Sequence, residues 1–191
     1  MKVQVGVMGS AGGRLRKDAR EKAYELGRQI VQHDCVLVTG ACPGLPYDAV
    51  KGCRAEGGMI VGISPALDLH EHITKYRSPY REFDVLVYTG DGLMGREVTG
   101  IRSCDIVILV GGRSGTLGEF AIAYDEGKLI GVLQGTGGVA DRVDEIIEIV
   151  AKKTGARLVF DADPARLMSK LLKAYATRKR RPRGRVRQEE G

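Results

Sequence analysis

Tryptophan is absent from this 191-residue chain and phenylalanine occurs only three times, a poor fit to partner recognition through large aromatic anchors. No apolar run approaches the roughly 20 residues needed to cross a bilayer, and Met1 leads straight into the strand-like KVQVGVM instead of a signal peptide. The cytoplasm is therefore the expected compartment, with no membrane partner. Histidine is scarce, and the four cysteines, Cys35, Cys42, Cys53 and Cys104, show no C-x-x-C spacing and no clustered histidines beside them. Free thiols and no metal site are the expectation.

What the chain has in quantity is glycine, 27 residues of it, which suits a layered α/β domain with many tight strand-to-helix turns. The net charge of +6 is concentrated in residues 178–187, which hold seven lysines and arginines; without this run and the two glutamates after it the body is nearly neutral. Residues 1–177 read as one domain and 178–191 as a basic tail too poor in apolar surface to order itself. Such a tail can make weak contact with nucleic acid or solubilise the chain.

Hydrophobic patterning predicts strands at 3–8, 35–38, 59–63, 84–88, 106–110, 129–133 and 158–160. Helices are expected at 15–31, 46–56, 95–103, 116–126, along the apolar face from Val139 to Val150, and after Asp163-Pro164. The stretch 64–83 reads as a long irregular excursion; its Tyr76 and Tyr80 could stack on a base, with Arg77 or Arg81 reaching a phosphate. Alternating strands and helices imply an α/β, Rossmann-like three-layer fold: a mostly parallel sheet with helices on both faces. Ligands of such folds collect above the carboxyl ends of the strands at the topological switch point.

The segment IVILVGGRSGTLGE, 106–119, runs a buried strand through a glycine-rich turn into a helix with a glutamate in its first turns. Free N–H groups at a helix start hold anions, so Gly111, Gly112, Arg113, Ser114, Gly115 and Thr116 are candidate phosphate contacts. Gly9 and Ser10 after the first strand and Gly40 after the second are candidates from neighbouring strand ends. GGRSGT matches neither the dinucleotide fingerprint nor the phosphate loop, which weakens NAD and ATP as ligands. Thr116 and Glu119 also have capping-box spacing, so a structural and a catalytic role compete for Glu119. Arg96 could bind phosphate or orient a carboxylate, although an isolated arginine is more often a solvated surface residue.

With VGGRSGTLGE matching the hallmark PGG-x-GT-x-x-E, the chain resembles the Lonely Guy or "possible lysine decarboxylase" family, which includes cytokinin riboside 5'-monophosphate phosphoribohydrolases and molybdenum cofactor carriers. Val110 stands for the proline, and Ala41 for the second glycine of an upstream G-G-x-x-GLM region. The segments RSPYREFDVLVYTG and GREV place it nearest the bacterial branch related to the carriers.

The resemblance implies catalytic roles for Arg96 and Glu119, with Glu97 in the place of a lysine. It implies binding of a phosphorylated nucleotide or nucleotide-like cofactor and homodimers or larger homo-oligomers. Hydrolysis of the N-glycosidic bond of nucleoside 5'-monophosphates, which needs no cofactor, is the enzymatic expectation. Non-catalytic carriage of molybdenum cofactor or nucleotide sensing is the alternative, and a nucleic-acid accessory role through the tail is a further one. Lysine decarboxylation is disfavoured, because no lysine is clearly placed to anchor pyridoxal phosphate.

Overall fold

In the computed structural model, which describes residues 1–180, seven parallel strands form one sheet. They are β1 (Gln4–Gly9), β2 (Val36–Thr39), β3 (Ile60–Ser64), β4 (Val85–Tyr88), β5 (Ile106–Val110), β6 (Leu129–Leu133) and β7 (Arg157–Asp161). The helices are α1 (Lys17–Gln32), α2 (Leu45–Ala55), α3 (Leu69–Thr74), α4 (Gly92–Arg102), α5 (Ser114–Asp125), α6 (Val143–Val150) and α7 (Pro164–Arg180). None of the described helices is long and apolar enough to cross a membrane.

Central strands are apolar throughout because both sheet faces are covered. Along β5, Ile106, Ile108 and Val110 pack with Leu26, Ala49 and Leu171 of α1, α2 and α7, while Val107 and Leu109 pack with Ile101, Phe120 and Val143 of α4, α5 and α6. Three layers result, with Rossmann-like architecture.

Strand order is β4-β3-β2-β1-β5-β6-β7. From β1 the chain steps outward to β4; α4 then carries it back to β5 on the other side of β1. That reversal opens a crevice at the carboxyl ends of β1 and β5, where Gly9 pairs with Val110. A Cβ at Gly9 would stand 2.1 Å from the Val110 carbonyl oxygen, so the glycine lets the two strand ends close.

Three stretches differ from the pattern-based expectation. The excursion contains α3, capped by Asp68, whose carboxylate accepts from Glu71 N–H at 2.7 Å, and it is anchored by buried His72. One ring nitrogen of His72 meets Ser64 Oγ at 2.8 Å and the other the Pro79 carbonyl at 3.0 Å. A six-residue helix is too short to declare a period. The apolar face from Val139 to Val150 is a 3₁₀ turn (Gly138–Arg142) followed by α6, because Val139 and Ala140 give their N–H groups to the carbonyls of Gly112 and Gly111. Finally, the expected tail boundary falls inside α7, where Arg178 donates to the Gly127 carbonyl at 2.6 Å. The rest of the tail, 181–191, lies outside the described residues.

Candidate functional site

The β5–α5 turn is tied down before it can face a ligand. Gly111 and Gly112 adopt φ of 63° and 118°, and their N–H groups donate to Thr136 Oγ1 at 2.8 Å and Ser10 Oγ at 2.7 Å. Both glycines were expected to bind phosphate; their N–H groups instead serve the fold, and Ser10 is a partner in that scaffold. Donors without an intrahelical partner begin later. The helix opens at Ser114 with no side-chain cap, and Leu117 is the first residue to donate back, to Arg113. The N–H groups of Ser114, Gly115 and Thr116 therefore have no intrahelical partner. Thr116 is the third helical residue, so the capping box with Glu119 does not form and Glu119 is left to the cavity.

Arg96 is buried, contrary to the surface reading of an isolated arginine. It is 7% exposed and Glu119 5%, and its Nη1 donates to Glu119 Oε1 at 3.3 Å. The guanidinium lies against the backbone at Gly40, where a Cβ would meet Nη1 at 2.2 Å and Cζ at 2.4 Å. Gly40 thus makes room for Arg96. Gly40→Ala is expected to cost about 1–3 kcal/mol in a urea titration, as overpacking does; an unchanged midpoint would mean that the guanidinium is free to move away.

Electrostatics at this wall follow from burial. Desolvation lifts the Glu119 carboxyl to about 7, against the pull of Arg96 and with help from Glu97. Glu97, also buried, is pushed up by desolvation, opposed by Arg96. Desolvation raises the Cys42 thiol to about 11, so it is neutral near pH 7. The Arg96 Nε is buried without a hydrogen-bond partner.

These groups surround a cavity of about 340 Å³ at the switch point. Gly9, Ser10, Gly40, Arg96, Arg113, Ser114, Gly115, Thr116 and Glu119 line it, whereas Gly111 and Gly112 do not. Sequence reasoning did not place Cys42, Leu93 or Met94 in this wall, whereas Glu97, expected there in the place of a lysine, does line it. For Leu93 and Met94 the available signal was helical spacing from Glu97, four and three residues on, which sets 93, 94 and 97 along one side of α4. Arg77, Tyr80 and Arg81 line a separate shallow groove, with the Arg81 guanidinium 5.7 Å from the Tyr80 ring centre, so the expected base-stacking residues do not join this cavity. Among the described residues no group of three or more His, Cys, Asp or Glu is placed to hold a metal ion.

An uncharacterized protein of Archaeoglobus fulgidus is 32% identical to this chain over 133 residues, 69% of this chain and 80% of that protein. The molybdenum cofactor binding protein of the phototrophic bacterium Rippkaea orientalis has a similar structure, with TM-score 0.75 and 25% identity over 92% of this chain and 98% of that one. The molybdenum cofactor carrier protein of Chlamydomonas reinhardtii is similar at TM-score 0.73 and 25% identity, over 92% of this chain and 99% of the other. A family model matches residues 2–168, and the chain belongs to the SLOG cluster4 family.

Proposed function

We propose that this protein binds a phosphorylated nucleotide or nucleotide-like cofactor in the switch-point cavity. The observation that carries this reading is the convergence of three unsatisfied N–H groups, at Ser114, Gly115 and Thr116, with the buried Arg96–Glu119 pair on one cavity. A helix start favours negative charge, and the orphaned Arg96 Nε is a donor waiting for an acceptor. Exposed Arg113 adds a cation at the rim. The likeness to molybdenum cofactor carrier and binding proteins supports a pterin phosphate as one such ligand. A molybdenum cofactor would bring its own redox-active metal, while Ser114–Thr116 and Arg96 would hold its phosphate.

Hydrolysis of a nucleoside 5'-monophosphate is the second reading, favoured by the Glu119 carboxyl titrating near neutrality inside the cavity. Ionised Glu119 would stabilise positive charge developing at C1' as the bond to the base nitrogen breaks. Water then adds at C1', and the base leaves with a proton.

Calorimetric titration with nucleosides and their 5'-monophosphates tests the first reading: the phosphate should tighten binding at least tenfold. Equal affinity with and without phosphate would reject it. For the second, free base is followed by chromatography. Release should rise between pH 6 and 8, as Glu119 ionises, and vanish in Glu119→Gln; no turnover of any common monophosphate leaves binding without hydrolysis.

A further inference from the structure

Glu97 has a seat built for it. Its Oε2 lies 2.8 Å from where a Cβ of Gly118 would stand, and its Oε1 3.3 Å from that of Gly115. The first two turns of α5 thus carry two glycines, each unfavourable in a helix relative to alanine, at the two positions where a side chain would crowd this carboxylate. The residue is 4% exposed and lines the cavity, yet its carboxylate makes no hydrogen bond or ion pair to the described residues. A carboxylate offers only acceptor sites, so what would satisfy it from the cavity is a donor. Repulsion rules out a second phosphate there, since Glu119 already shares the wall and one guanidinium serves both.

The side chains beside Glu97 indicate what carries the donor. Leu93 and Met94, one turn earlier on the same side of α4, reach the cavity while 58% and 67% exposed, and the Met94 methyl lies 3.7 Å from the Gly118 Cβ position. They form an apolar shelf on which a flat ring can rest with its edge towards the carboxylate. A carboxylate pairs in bidentate fashion with two adjacent N–H donors. The 2-amino-4-oxopyrimidine ring of guanine and of pterins presents such an edge; adenine sets its amine beside an acceptor.

We infer that Glu97 is the specificity-determining acceptor of this cavity, selecting phosphorylated ligands with a 2-amino-4-oxopyrimidine ring. This rests on the phosphate-binding reading above. A site built to pair with donors discriminates against analogues that lack them, because its own buried group is then left unpaired.

The test is calorimetric titration of the full chain with guanosine, inosine and adenosine 5'-monophosphates, guanosine, and neopterin monophosphate. Guanosine monophosphate should bind at least tenfold more tightly than adenosine monophosphate, with the inosine nucleotide, which lacks the 2-amino group, between them. In Glu97→Gln the preference should shrink to within threefold, because the amide pairs with the amine and neighbouring acceptor of adenine as well as with a guanine edge. Gly118→Ala, which crowds the carboxylate from the opposite wall, should do the same and serves if the first variant does not fold. A wild-type ranking without guanine preference, or a preference that survives both substitutions, overturns the role of Glu97. The phosphate reading would still stand if guanosine binds more weakly than its monophosphate. If no probe binds, both fall. A tenfold advantage of neopterin monophosphate over the guanine nucleotide assigns the edge to a pterin, and the reverse to a guanine nucleotide.

Discussion

Arg96→Met is expected to lower stability by about 3 kcal/mol at pH 9 and by less than half of that at pH 6, measured as the shift in urea unfolding free energy. The substitution keeps most of the side-chain volume and removes the charge, leaving Glu119 buried with no cation beside it. In the wild type the folded Glu119 carboxyl, near 7, stands above its ordinary value of 4.5. Folding therefore takes up a proton between those values. The stability this group allows is highest below about pH 4.5, falls as the pH rises to 7 and is level above. Without Arg96 the carboxyl rises further and the fall continues beyond pH 7, which is why the two proteins diverge in alkali. A second substitution, Glu119→Leu, should restore most of the loss, since an apolar pair of similar size needs no desolvation of charge. A loss that is the same at both pH values would show that packing, and not the stranded carboxylate, is what Arg96 supplies.

The fold was legible because its signals are local. Runs such as IVILV and LIGVL between helical stripes announce buried parallel strands, and the observed strands 106–110 and 129–133 coincide with the expected ones. The cavity was legible in outline, since glycine-rich strand ends collect at a switch point whatever their sequence. Pattern could not tell which N–H groups stay free. Gly112 donates to Ser10, 102 residues away, and Gly111 to Thr136, 25 away, and neither partner has a local signature. The burial of Arg96 was hidden for the same reason: its cover is Gly40, on another strand end. Ala41 makes the converse point. It holds φ of 49°, a conformation that favours glycine, at the position where the resembled motif has its second glycine. The backbone requirement persists here although the residue that announces it has been replaced.

Gly27→Ala is expected to destabilise the protein by about 2 kcal/mol or more, although the same change in an exposed helix interior gains about 1 kcal/mol. The Cβ would stand 1.9 Å from the Ala49 carbonyl oxygen, and a Cβ at Gly52 would stand 1.9 Å from that of Tyr24. Each glycine therefore receives the backbone of the other helix, and no rotamer change relieves the clash. The helices must separate, which opens space around buried Leu26 and Cys53. The displacement has a route to the cavity. The N–H of Leu45, the first residue of α2, donates to the Ser10 carbonyl at 2.9 Å, and Ser10 Oγ in turn holds the Gly112 N–H that shapes the turn into α5. Affinity for a nucleoside monophosphate should accordingly fall together with stability, although Gly27 does not line the cavity. Chemical unfolding and calorimetry on Gly27→Ala, beside Glu21→Ala on the exposed side of α1, measure both effects. A variant less stable but with unaltered affinity would mean that α2 tilts about its first turn and leaves Ser10 in place; a more stable one would remove the close crossing of α1 and α2 as the constraint that keeps glycine at 27 and 52.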